Sequence, residues 1–179
     1  MKNLLKKILL GLLIVLSIYA LYKLTKLLFS PNLNSGIQYT TKKKIVKLFF
    51  VNDEGYLDSE DREIVLGKTV IEDAKSCIYE LIKGTKNEKL ISTIPPATVL
   101  RELYIDDNKC AYVDFNKNLI DAHIGGTVGE LNTIYSISNT LITNFDQISS
   151  VKILVEGQEV STISGHIDIS KPIKKYEQK

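Results

Sequence analysis

The hydrophobic pattern has two regimes. From Ile8 to Tyr22 the chain reads ILLGLLIVLSIYALY, fifteen residues without a charge, with Lys6 and Lys7 before them and Lys23 and Lys26 after. Fifteen helical residues cover about 22 Å, short of a hydrocarbon core of roughly 30 Å. Leu4, Leu5, Leu24, Leu27, Leu28 and Phe29 prolong the apolar character, and Tyr19 and Tyr22 suit the membrane interface. The four lysines can snorkel to the two surfaces. The pattern predicts a transmembrane helix within residues 1–29. A cleaved signal peptide is the competing reading, but no small-x-small site follows the run cleanly. No cysteine follows it either, which argues against lipid modification.

Beyond a polar stretch at 30–44 containing Pro31 and Gly36, which reads as a linker, the pattern becomes that of a folded domain over 45–172. Ile45–Val51 is a nearly continuous apolar run and predicts a buried strand. Asn52 to Gly55 is a turn signal, and Tyr56–Leu57 and Arg62–Val65 read as short strand pieces. Thr69 and Glu72 form a capping box before a helix with Val70, Ile71, Ala74, Cys77, Ile78, Leu81 and Ile82 on one face, closed by Gly84. Strands follow at Val99–Ile105 and Cys110–Phe115, joined by Asp106-Asp107-Asn108. A second capping box, Thr127 and Glu130, predicts a helix with Leu131, Ile134, Tyr135, Ser138, Leu141 and Ile142 facing inward. Val151–Val155 is the last long strand, with a tight turn at Glu156–Glu159 and Val160–Ile163 pairing back. Strand, helix, strand, strand, helix, strand is the split βαβ order: an α+β fold with a small mixed sheet, two helices on one face and short extra hairpin pieces.

Charge is segregated along this plan. Residues 1–44 hold eight lysines and no acid, whereas residues 45–171 hold 12 basic and 20 acidic side chains, a net of −8. The tail 173–179 is basic again. A nucleic-acid binder carries its basic surface on the domain itself, so nucleic acid is excluded as a partner. Lys2, Lys6, Lys7 and the terminal amine favour a cytoplasmic N-terminus. The chain is then a single-pass protein of the cell membrane with its domain extracytoplasmic. Cys77 and Cys110 read as buried small hydrophobes, with a single bridge between them left open.

Candidate chemistry is sparse. Gly125-Gly126-Thr127-Val128-Gly129 opens a helix as phosphate-binding turns do, but it lacks the lysine of such a loop and Glu130 would repel an anion. His123 lies two residues from Asp121, and His166 two from Asp168. Those four could hold zinc if the two loops met. Ser164, His166 and Asp168 are too close in sequence to be read as a triad. The acidic cluster Asp53, Glu54, Asp58, Glu60, Asp61 and Glu63 reads as a solvated face. No catalytic, metal or cofactor site is expected, and the domain is read as non-enzymatic.

Seven segments in register resemble the GerMN domain, the sporulation and spore germination family. They are Val46–Leu57, Ile91–Pro96, Ala111–Phe115, Gly125-Gly126 with Gly129-Glu130, Tyr135–Leu141, Val151–Gly157 and Gly165–Pro172. The family is similar in fold to ring-building modules, so the resemblance implies an envelope assembly role and names no catalytic residue. It marks Pro95, Pro96, Asp114, Gly125, Gly126, Glu130, Gly157, Gly165, His166 and Asp168 as structural motif positions. Partners implied are the membrane, through the N-terminal helix, further copies of the chain or other envelope proteins. A peptidoglycan (spore cortex) binding or modifying role is the alternative. On the helix Thr69–Lys83, the residues Lys75, Tyr79 and Lys83 form the candidate interface of an otherwise acidic domain.

Overall fold

The computed structural model describes residues 2–28 and 42–176, with side chains over 6–26 and 42–176. The chain divides between Thr40 and Thr41 into two units. Most of the expected linker, 30–41, lies outside the described residues, as does the tail end 177–179.

The first unit is helix α1, Lys2–Leu28. Its apolar stretch Lys6–Lys26 runs 21 residues, about 32 Å of helix, long and apolar enough to cross a membrane. Its serine and threonine hydroxyls are satisfied locally: Ser17 Oγ donates to the Ile14 carbonyl at 2.8 Å and Thr25 Oγ1 to that of Tyr22 at 2.9 Å.

The second unit carries strands β1 (Lys43–Asn52) and β2 (Leu57–Val65), helix α2 (Val70–Ile82) and strands β3 (Leu90–Ile91), β4 (Leu100–Ile105) and β5 (Cys110–Phe115). Helices α3 (Asn118–Asp121) and α4 (Thr127–Asn144) and strands β6 (Ser150–Val155) and β7 (Gln158–Glu159) complete it. The split βαβ order is present in β1, α2, β4, β5, α4 and β6. The strands form two sheets, ordered β2-β1-β3 and β4-β5-β6-β7. In the second, β5 and β6 are parallel, which requires the long crossover through α4.

The division has a visible cause. One edge of β1 pairs with β2 along its whole length, but the other meets β3 only at Val51 and Asn52. Over Lys47–Phe49 that second edge is closed by α4 side chains. Asn144 accepts from the Lys47 N–H at 2.9 Å and donates to the Lys47 carbonyl at 2.7 Å. Thr140 Oγ1 accepts from the Phe49 N–H at 3.0 Å. A helix thus covers what would otherwise be an open edge.

Several local expectations change. β1 alternates, burying Val46, Leu48 and Phe50 and exposing Ile45 and Lys47, so it is not buried on both faces. β2 is one nine-residue strand rather than two short pieces. Two of its acids are held by β1 lysines, Asp61 by Lys47 at 3.0 Å and Glu63 by Lys43 at 2.7 Å. Only Gln158–Glu159 pairs back onto β6, while Val160–Ile163 leaves the sheet so that Ile163 can enter the core.

The core joins Leu48 and Phe50 of β1 and Ala74, Cys77, Ile78 and Leu81 of α2 to Val113, Phe115, Ile134, Leu141 and Ile153. Cys77 and Cys110 are free and buried. Burial pushes the Cys77 thiol up to about 12, as for an inert core thiol.

Candidate functional site

Two capping boxes are expected, and one forms in altered shape, its glutamate reaching the residue before the N-cap. At α2 the Thr69 hydroxyl accepts from the Glu72 N–H at 3.2 Å, and Glu72 reaches back to the Lys68 N–H at 2.5 Å. At α4 the N-cap is Gly126, with Thr127 already helical and no side-chain cap. Gly125 and Gly126 have φ of 78° and 79°, a conformation that favours glycine and that turns the chain into the helix. Glu130 is thereby released from capping its own helix.

Glu130 is instead fully buried at 0% exposure. Its Oε1 accepts from the N–H groups of Ile163 (2.7 Å) and Ser164 (3.0 Å). Its Oε2 accepts from Ser164 Oγ (3.0 Å) and from the N–H groups of His166 (2.9 Å) and Ile167 (3.2 Å). Burial alone would raise this carboxyl. The surrounding donors outweigh it and hold Glu130 below the usual carboxylate range. The loop that wraps the carboxylate turns at Gly165, φ 92°, and is closed by Asp168, whose Oδ1 accepts from the Ser170 N–H at 2.9 Å. His166 Nδ1 stands 3.4 Å from Glu130 Oε2 and 3.5 Å from Ser164 Oγ. The Ser164 hydroxyl points at the carboxylate, so Ser164, His166 and Asp168 do not form a nucleophilic relay.

His123 reaches the same end of α4. Its Nδ1 accepts from the Gly125 N–H at 3.0 Å, which leaves the proton on Nε2 to be donated to Thr133 Oγ1 at 3.0 Å. Thr133 in turn donates to the Thr93 carbonyl at 2.7 Å. Burial lowers the imidazole, against an opposing pull from Glu130, and both ring nitrogens are occupied. Among the described residues no three metal-binding side chains converge. The histidine-bearing loops both come to the start of α4, but to different partners.

The other motif positions are also engaged. Asp114 Oδ1 accepts from the Gly157 N–H at 2.8 Å, while its Oδ2 lies 3.3 Å from Arg101, which also meets Glu156 at 3.2 Å. Glu156 and Gly157 both have positive φ, 53° and 76°, the geometry of a type I′ hairpin turn between β6 and β7. Pro95 is buried, and its carbonyl accepts from the Thr98 N–H at 2.9 Å, folding the loop into β4; Pro96 is exposed.

The family model for sporulation and spore germination, Germane, matches residues 47–161. The chain belongs to this family. Among solved structures, the first GerMN domain of the Bacillus subtilis sporulation protein GerM is 20% identical, with a TM-score of 0.59, covering 73% of this chain and 97% of that one. The tandem GerMN domains of the same protein give 19% identity and a TM-score of 0.61, covering 74% of this chain and 46% of theirs. A candidate lipoprotein from Clostridium perfringens is 25% identical, with a TM-score of 0.55, covering 75% of this chain and 87% of that one. No curated protein sequence matches. The chain therefore has the GerMN fold.

Sequence reasoning missed a second charged centre of this GerMN domain. Glu60, read with the acidic cluster as part of a solvated face, is instead mostly buried, bonded to the buried Arg62 of β2, which also meets Glu80 of α2 at 2.9 Å and the Gly84 carbonyl at 3.1 Å. Glu60 also holds Thr85 Oγ1 (2.5 Å) and the Lys86 N–H (3.0 Å). Burial would lower Arg62, but its two carboxylates raise it overall. Glu60 and Glu80, which burial would raise, are lowered overall by their donors. The α2 face is correspondingly less free than expected: Lys75 pairs with Glu102 of β4, and Lys83 with Glu80 at 2.5 Å. Tyr79 remains exposed between them.

Two adjoining clefts lie along α4, each about 320 Å³. The first is lined by Tyr56, Val128, Leu131, Asn132, Tyr135 and Tyr176. The second lies beneath Lys171, Lys174 and Lys175 and shares Tyr135 and Tyr176.

Proposed function

We propose that this GerMN-family chain is a membrane-anchored, non-enzymatic assembly module of the cell envelope, serving sporulation or spore germination, with its domain on the extracytoplasmic side. The observation that carries the reading is how the motif residues are used. Glu130, the most buried of their charged groups, has its oxygens filled by five donors of the chain, and Asp114 serves the Gly157 turn. Such residues shape loops for presentation to a partner. The N-terminal lysines support the orientation. The likeness to a candidate lipoprotein supports membrane retention by an equivalent means.

The contact face is α2 around Lys75, Tyr79 and Lys83. A photoreactive residue in place of Tyr79, in full-length protein in native membranes, should give discrete crosslinked adducts. The same probe at the exposed Asp107 should not. Equal adducts at both positions would remove this face. The tyrosine-lined cleft sustains peptidoglycan as a second reading. Release of soluble fragments from cell-wall material by the pure protein, stopped by His166→Ala, would replace the scaffold reading with an enzymatic one.

A further inference from the structure

The surface around the first turns of α4 is unusual for an acidic domain. Ile124 is 90% exposed and Val128 64% exposed, and Tyr56 and Tyr176, which share a cleft with Val128, are exposed too. Val128, Tyr56 and Tyr176 border the first cleft, while Ile124 precedes α4 and lies against Gly129; the second cleft continues from the shared Tyr135–Tyr176 pair to Asp168, Lys171, Lys174 and Lys175. The lysines are not on a loose end. Ile173 forms a bridge with Val151 through bonds of 2.8 and 2.7 Å, and Tyr176 is held by Asn139 at 2.8 and 3.1 Å. Three lysines thus stand on backbone held to the domain, along a cleft that shares Tyr135 and Tyr176 with the one Val128 lines, on a domain whose residues 45–171 sum to −8.

We propose that this face is a docking surface for an anionic lipid bilayer. On it Ile124 and Val128 enter the interface, Tyr56 and Tyr176 sit at headgroup depth and Lys171, Lys174 and Lys175 meet lipid phosphates. Aliphatic tips, interfacial tyrosines and neighbouring lysines are the ingredients of peripheral membrane binding. Charge decides the orientation. An acidic body is repelled by an anionic surface and its basic strip attracted, so the domain turns this side to the membrane. A glycan strand fits less well. It would need free ring faces, but Tyr135 and Tyr176 are stacked on each other at 4.6 Å, and the most exposed groups here are aliphatic. An anchor in the same chain raises the local lipid concentration, so weak contacts suffice. The inference goes beyond the assembly reading and stands whether or not α2 binds a protein.

Residues 42–179 contain the whole hydrophobic core and can be tested alone. This fragment should co-sediment with phosphatidylglycerol-containing vesicles, less as salt rises, and not with pure phosphatidylcholine. Each lysine contributes about fivefold at an anionic surface. Lys171→Glu, Lys174→Glu and Lys175→Glu together should therefore abolish binding, and Ile124→Ser with Val128→Ser should weaken it several-fold. In full-length protein reconstituted in the same lipid, a fluorophore at position 128 should be quenched by headgroup-region quenchers, and the triple lysine variant should lose that quenching. No partitioning in the first assay together with no quenching in the second overturns the proposal. So does binding to purified peptidoglycan with no binding to vesicles, which would assign the face to the wall. Persistence of adducts at position 79 in the triple variant would separate this surface from the α2 contact.

Discussion

Glu130 shows how far a single position departs from its local pattern. A glutamate three residues after a threonine at a helix start reads as a capping box, and at α2 the same spacing does cap. At α4 the two left-handed glycines move the N-cap to Gly126, and Glu130 becomes the anchor of a loop more than thirty residues downstream. The energetic consequence is testable. Replacing Glu130 by Gln substitutes a donor for one acceptor, so buried N–H groups of the 163–167 loop lose their partner, at a cost of about 3 kcal/mol. Urea unfolding should report it as a lower midpoint. Because its folded-state pKa lies below the unfolded value of about 4.3, Glu130 contributes stability that is present above that pH and lost as pH falls through the folded value. The Gln variant should lose this part of the acid dependence. Its glycine and glutamate positions were visible in the chain; the loop they hold was not, because nothing local specifies the distant donors.

At the scale of elements, what could be read was what depends on neighbours in sequence. α2 follows from its cap, its apolar face and Gly84, and the β6–β7 turn from Glu156-Gly157. The strand β2 was obscured because its charges dominate the pattern, while the lysines that neutralise two of them sit on β1. The apolar stripe of α4 predicts a one-sided helix, yet Thr133, Ser136, Ser138, Asn139 and Thr140 are buried with its apolar residues, since it packs between other elements on several sides. Some of those polar groups have structural work, above all Thr140 and Asn144 at the edge of β1. Asn144→Ala should strip the partners from both backbone groups of Lys47 and cost about 1–3 kcal/mol. Hydrogen exchange should show faster exchange at the Lys47 amide, with the β2-facing amides of β1 little changed. An unaltered Lys47 rate would mean that the helix does not seal this edge.

At the scale of the molecule, the domain extends further than expected. The family resemblance runs to 172 and leaves Lys174, Lys175 and Lys179 as a basic tail. The structure ties residues 173–176 down by backbone pairing, which leaves little trace in composition: Ile173 to Val151, and Tyr176 to the buried amide of Asn139. Asn139 acts here as a one-residue strand, offering an acceptor and a donor to the two backbone groups of Tyr176. Deleting 173–179 from the 42–179 fragment should leave that amide without its partners and remove the Tyr135 stacking contact, a loss of about 2–4 kcal/mol. Asn139→Ala in the intact fragment should reproduce part of this loss, and the two changes together should cost less than their sum, since they break the same contact. Equilibrium urea unfolding of the four proteins measures that coupling. Strict additivity would mean that Asn139 and the tail stabilise the domain independently, and the boundary would return to residue 172.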